Sequence, residues 1–215
     1  MANSCYSEID IFSKEHPDEL ALLDKRLSEW TKGSWGESWL GNVLIQSELV
    51  SKEAIEENES PYRCRGHIIS NDMDKADQLH ISTETAWVPM MAMWPAICEK
   101  FGIDDAKIIF SAEEPGFDVY ITNDQELLAK PYIFDGCFEG EDEYLLKLFE
   151  SDTADIEDHC VAEDFIDEKR LNNVFEKIKE RIPEIESLND LQDHLKDDES
   201  YFNLHKFEEG GVIDY

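Results

Sequence analysis

Apolar residues in the first 134 positions change their period in a fixed order, and that order limits the folds open to the chain. Residues 6–12 set Ile9 and Ile11 on one face of an extended run, the period of two that suits a half-buried strand. Residues 17–30 switch to helical spacing. Leu20, Leu23, Leu27 and Trp30 make one stripe, Pro17 suits the first turn, and Asp18 and Glu19 favour its positive end. Residues 38–46, Ser-Trp-Leu-Gly-Asn-Val-Leu-Ile-Gln, read as a second strand, and the polar stretch 51–60 as a short helix or loop. Two extended runs, 62–70 and 78–86, flank residues 71–75. The alternation of Leu79, Ile81, Thr83 and Thr85 predicts a hairpin there.

A Met- and Trp-rich segment at 89–101 predicts a buried helix that kinks or starts late at Pro95 and ends at Gly102. Residues 107–112 and 117–122 flank Glu113-Glu-Pro-Gly116, a turn signal for a second hairpin, and 131–134 adds a short strand. The chain is therefore expected to be α+β. Strand–helix–strand, hairpin, helix, hairpin is the order of a ferredoxin-like antiparallel sheet with packed helices. Trp39-Leu-Gly-Asn42, the run from Leu79 through Thr85-Ala-Trp87 to Pro89, and Ala112-Glu-Glu-Pro-Gly116 resemble the Api92-like/YubB ferredoxin-like domain proteins of plasmids, conjugative elements and phages. The resemblance covers residues 1–130. It implies a fold and a mobile-element setting, and no reaction.

Composition shifts after Phe134. Residues 135–168 hold 14 acidic side chains and one basic one, Lys147, while apolar residues such as Tyr144, Leu145, Phe149 and Phe165 persist. Two domains are expected: a ferredoxin-like domain at 1–134 and an acidic, mainly helical region at 135–215. Helices are expected near 170–182 and 187–197, with Leu171, Val174, Phe175, Ile178 and Ile182 on the apolar face of the first and Pro183 ending it.

The whole chain carries 51 acidic and 19 basic residues, a formal net charge of -32 over 215 residues. A compact chain of this length is about 45 Å across. Its charge then runs at about one per 1.4 Å, close to the one per ~1.7 Å of duplex DNA. Such a surface repels nucleic acid and anionic membranes. No run of apolar residues is long enough for a transmembrane helix, and no basic-then-apolar leader opens the sequence. Cys5, Cys64, Cys98, Cys137 and Cys160 are odd in number and scattered, which predicts free thiols in a reduced, cytoplasmic chain.

Several constellations invite chemistry. Glu113, Glu114, Asp118 and Asp124 gather oxygen ligands around one hairpin, the residue types a divalent-metal-dependent hydrolase uses. Asp118 alternates with Val119 and reads as a solvent-facing strand position, and with 51 acids in 215 residues such clusters arise by chance, so the metal reading is the weaker one. The 135–143 segment lacks the ligand spacing of a calcium loop and reads as an acidic helix start. Cys64-x-x-His67 with His159-Cys160 offers four zinc-ligand types at an unsuitable separation. Cys98 sits on an apolar helix and reads as core, and Cys137 is ringed by acids that disfavour a thiolate. Of the five tryptophans, Trp35 stands between Gly33 and Gly36 and is expected to be the most exposed. Phosphate-cradling, dinucleotide and nucleophile-elbow motifs are absent, and no cofactor is expected.

The expectation is a non-enzymatic acidic interaction protein, a nucleic-acid mimic that fills the basic groove of a protein such as a host-defence nuclease, in the anti-CRISPR or anti-restriction manner. Glu139, Glu141, Asp142, Glu143, Asp152, Asp155 and Asp158 are its expected partner-binding residues. A charge that serves solubility alone, and an oligomeric scaffold pairing sheet edges, are the competing readings.

Overall fold

The computed structural model of the protein describes residues 3–31, 38–57, 59–62, 65–138, 143–149, 154–155, 160–195 and 200–212. The chain divides into two compact units, residues 1–124 with 209–215, and residues 125–208. The division falls ten residues before the 134/135 boundary expected from composition, and the last residues return to the first unit.

The first unit runs β1 (Ser4–Phe12), α1 (Pro17–Trp30), α2 (Leu40–Gln46), α3 (Lys52–Glu56), β2 (Gly66–Lys75), β3 (Gln78–Ala86), α4 (Met93–Lys100), β4 (Lys107–Glu114) and β5 (Val119–Thr122). β3 pairs antiparallel with β1 and β2, and β4 with β1 and β5. With the two-residue β10 (Glu208–Glu209) at the edge, the sheet order is β10-β5-β4-β1-β3-β2.

The alternation predicted for β1 and β3 decides which face is buried. Cys5, Ser7, Ile9 and Ile11 lie opposite Thr85, Thr83, Ile81 and Leu79, and all eight are buried. Ile9 also lies opposite Phe110, and Ser7 opposite Ala112. The predicted α1 stripe covers this face, with Leu20, Leu23 and Leu27 fully buried. Asn71 of β2 fixes the helix by donating to the carbonyl and the carboxylate of Asp24, at 3.1 and 2.6 Å.

α4 starts late, at Met93, with Pro95 in its first turn, where a missing N–H costs least. It ends as Gly102 predicts. Gly102 takes φ +73, its N–H donates to Glu99, and Ile103 N–H donates to Cys98, closing a Schellman cap.

Residues 71–75, expected as the connector of the first hairpin, extend β2 instead, and one further element contradicts its sequence reading outright. Residues 38–46 form a helix rather than a strand: Trp39 makes a lone bridge to His67, and Leu40–Gln46 turns helical. Leu40 to Leu44 are all buried, the polar Asn42 included, so no exposed positions among them mark a helical period.

The second unit runs α5 (Gln125–Ala129), β6 (Tyr132–Cys137), α6 (Glu143–Leu148), β7 (Ala154–Asp155), β8 (Cys160–Ile166), α7 (Glu168–Arg181), α8 (Leu188–Leu195) and β9 (Tyr201–Lys206). Alongside its helices it holds strands that the sequence reading did not expect. A four-stranded sheet, β7-β8-β6-β9, runs through it, its strands pairing antiparallel. The predicted helices stand: Leu171, Val174 and Ile178 of α7 are buried, and Asp167 caps its start by accepting from Arg170 N–H at 2.7 Å. Phe134, Phe138, Phe149 and Phe202 form the aromatic centre, the Phe149 ring lying 4.9 Å from Phe134 and 5.0 Å from Phe202.

A second correction concerns the thiols. Cys137 and Cys160 are register partners on β6 and β8 and are joined by a disulfide. The expectation of five free thiols fails there, and the argument for a reduced compartment built on it fails with it. The zinc reading also loses Cys160, and its Cys64 and His159 lie outside the described residues. No helix among the described residues is long and apolar enough to cross a membrane.

Candidate interaction surface

Strand alternation puts polar side chains on the sheet face opposite the core of the first unit. β1 contributes Tyr6, Glu8 and Asp10 there. Their register partners are Glu84, Ser82 and His80 on β3, and Glu113, Ser111 and Ile109 on β4. β2 adds His67 opposite Glu84 and Asp72 opposite His80. A bulge between Ile68 and Ser70 leaves Ile69 as an unpaired, exposed residue. Asp74 reaches the same face, its carboxylate gathering with those of Asp10 and the His80 ring within 4.8 Å. Six carboxylates thus share one side of a continuous sheet.

His80 organises the centre. Its Nδ1 lies 3.1 Å from Asp10 Oδ1 and its Nε2 3.0 Å from Glu8 Oε2. Ser82 Oγ donates to Glu8, and Gln78 Nε2 donates to Asp10 at 3.0 Å. Partial burial opposes charging of the imidazole. The hydrogen bond to Asp10 and the charges of Asp10, Glu8 and Asp74 outweigh it, so the His80 pKa rises above its ordinary value. His67 Nε2 lies 3.4 Å from Glu84 Oε2, and Ser4 Oγ donates to Glu84's other oxygen.

A second grouping, His16, Asp104 and Asp105, builds the start of α1. Asp105 accepts from Ser13 Oγ and from the N–H groups of Lys14 and Glu15, which lowers its pKa, the Ser13 bond contributing most. Ser13 Oγ in turn accepts from His16 N–H at 3.0 Å. The hydrogen bond that the His16 ring donates to Asp104 raises the His16 pKa. These contacts satisfy the chain entering a helix.

The hairpin acids do not converge. Glu113 and Glu114 are neighbours on a strand and point to opposite faces. Glu114 is 1% exposed and accepts from Gly116 and Phe117 N–H groups at 3.2 and 2.7 Å. Asp118 takes a left-handed conformation, φ +55. Neither grouping of metal-ligand atoms found among the described residues includes Glu113, Glu114, Asp118 or Asp124.

Of the expected partner-binding acids, Glu143 opens α6 and Asp155 lies in β7. Glu139, Glu141, Asp142, Asp152 and Asp158 lie outside the described residues, as does Trp35. Cys5 and Cys98 are buried thiols, pushed up by burial to about 11 and about 12, and neither is a thiolate at neutral pH. Sequence reasoning missed the acidic sheet face. Its signal was present in the polar positions of the same alternation that revealed the core, Tyr6-x-Glu8-x-Asp10 and His80-x-Ser82-x-Glu84.

Fold and surface define the class: a two-unit α+β protein with an acid-lined open sheet face. No protein-family model matches the chain, and no curated protein or solved structure matches it significantly.

Proposed function

We propose that the chain is a non-enzymatic acidic interaction protein whose open sheet face occupies the basic, nucleic-acid-binding groove of a protein partner. The supporting observation is the set of six carboxylates, Glu8, Asp10, Asp72, Asp74, Glu84 and Glu113, on one sheet face of a chain with net charge -32. Carboxylates at this density compete with phosphates for Lys and Arg, and displaced counterions add to affinity. The first unit is best described as ferredoxin-like, supported by the order β4-β1-β3-β2 with helices following β1 and β3. A mimic carried by a phage or mobile element against a host-defence nuclease fits both this surface and the resemblance in residues 1–130.

Retention of basic nucleases by the immobilised chain, at low and high salt, tests the proposal. Binding is expected at low salt, declining as salt rises and displaced by duplex DNA. Neutralising the face with Glu8→Gln, Asp10→Asn, Glu84→Gln and Glu113→Gln is expected to weaken binding and flatten its salt dependence. Failure to retain any basic protein at low salt refutes it.

A second reading, a divalent-metal-dependent hydrolase, is favoured by the gathering of Asp10, Asp74 and His80 rather than by the hairpin acids. Calorimetric titration with magnesium, manganese and calcium separates the two. Tight binding abolished by Asp10→Asn supports the metal reading, and no heat removes it.

A further inference from the structure

Two large aromatic side chains stand exposed at one end of the first unit's sheet. Trp87 is 43% and Phe117 is 59% exposed, and their rings stack with centroids 5.5 Å apart and planes 23° from parallel. Contact with each other does not bury them, so packing alone does not explain their placement.

The backbone that presents them is fixed by buried groups. Trp87 takes φ +77, a region that bulky side chains rarely enter, and its N–H donates to the Asn3 carbonyl at 3.0 Å. Just before it, Thr85 Oγ1 donates to the Val88 carbonyl at 2.8 Å. Phe117 closes the 3-10 turn Pro115–Phe117, held from beneath by the buried Glu114 carboxylate. Gly116 packs so close to Asn3 that a Cβ there would lie 2.3 Å from the Asn3 amide nitrogen. Asn3 therefore joins both supports. Strain of this kind persists where the surrounding structure enforces it, and it clusters at ligand sites.

Charge around the rings selects the ligand. Tyr6, itself 49% exposed, lies in register between Glu84 and Glu113 at the same end of the sheet, and the exposed Asp118 follows Phe117. A phosphate-bearing base would meet this field at a cost. A cation above an aromatic face gains from the ring quadrupole and from the carboxylates together. A guanidinium is flat, matches the stacked rings and binds carboxylates by two parallel hydrogen bonds.

From this geometry we infer that Trp87 and Phe117 form a stacking platform for an arginine side chain of a cationic protein or peptide. The inference rests on the acidic-surface reading and adds the anchor that gives it specificity.

The test uses the full chain and two peptides of equal length and charge, one arginine-rich and one lysine-rich, in calorimetric titrations over a range of salt. Wild type is expected to bind the arginine peptide more tightly. Trp87→Gly removes the ring and relieves the left-handed backbone. It is expected to melt no lower than wild type, to weaken arginine-peptide binding about 3- to 30-fold, and to change lysine-peptide binding far less. Phe117→Ala, at an exposed turn position, is expected to repeat the loss. If salt-dependent binding persists undiminished in both variants, the platform is refuted and the acidic face stands. If Trp87→Gly lowers the melting temperature, the ring is structural and the inference fails. If wild type binds neither peptide at low salt, both readings fall.

Discussion

Cutting the Cys137–Cys160 bond is expected to destabilise the second unit by an amount set by chain length. The two cysteines are 23 residues apart and enclose α6 and β7. In the chain-entropy treatment the unfolded chain loses 2.1 + 1.5R ln n in entropy, which for a loop of this size is about 3.4 kcal/mol at 25 °C. At a urea dependence of about 1–3 kcal/mol per molar, reduction or Cys137→Ser/Cys160→Ser is expected to lower the unfolding midpoint by about 1–3 M. Far-ultraviolet circular dichroism follows the transition. Tryptophan emission serves as the internal reference, because all five tryptophans precede residue 125. Thiol titration of the denatured chain is expected to find two fewer thiols without reductant than with it. Equal thiol counts, or a midpoint indifferent to reduction, refute the reasoning.

Other expectations follow from single contacts. His80 is expected to titrate above its ordinary value when followed by NMR. Its stabilisation is complete below the unfolded pKa of about 6.5 and is lost as pH rises through the higher folded pKa. Asp10→Asn removes the acceptor 3.1 Å from Nδ1 and should lower the His80 midpoint, and an unmoved midpoint counts against the assigned cause. Leu23→Ala, at a fully buried position of α1, is expected to cost about 2–5 kcal/mol in denaturant melts. Gly102→Ala meets no atom within 4 Å of the new Cβ, so its cost is conformational alone, about 1 kcal/mol.

Where one face of an element is wet and the other dry, the sequence announced it. α1 spans the predicted residues 17–30, and β1 and β3 carry the predicted alternation. Local backbone chemistry was legible too, in the Gly102 cap and the Pro115-Gly116 turn. α2 was not, because its consecutive buried residues have no period and Val43 and Ile45 favour a strand. The second sheet escaped because β8 is built partly of acids, Cys-Val-Ala-Glu-Asp-Phe-Ile, which read as solvated surface. The disulfide depended on β6–β8 register, a long-range pairing that spacing does not encode. Trp87 escaped for a different reason. A left-handed backbone is signalled by Gly or Asn, and nothing marks it at a tryptophan.

The bond from Gly210 N–H to the Thr122 carbonyl, 2.9 Å long, joins the chain just before residues 125–208 begin to the chain just after they end. Those residues are therefore an insert in a host fold rather than an extension of it. During synthesis the β5 edge of the host has to wait for residue 210 to emerge before it gains its last neighbour. Over evolutionary time the same arrangement permits the insert to be shortened, exchanged or deleted at a hairpin-sized junction, leaving the order β5-β4-β1-β3-β2 of the host untouched.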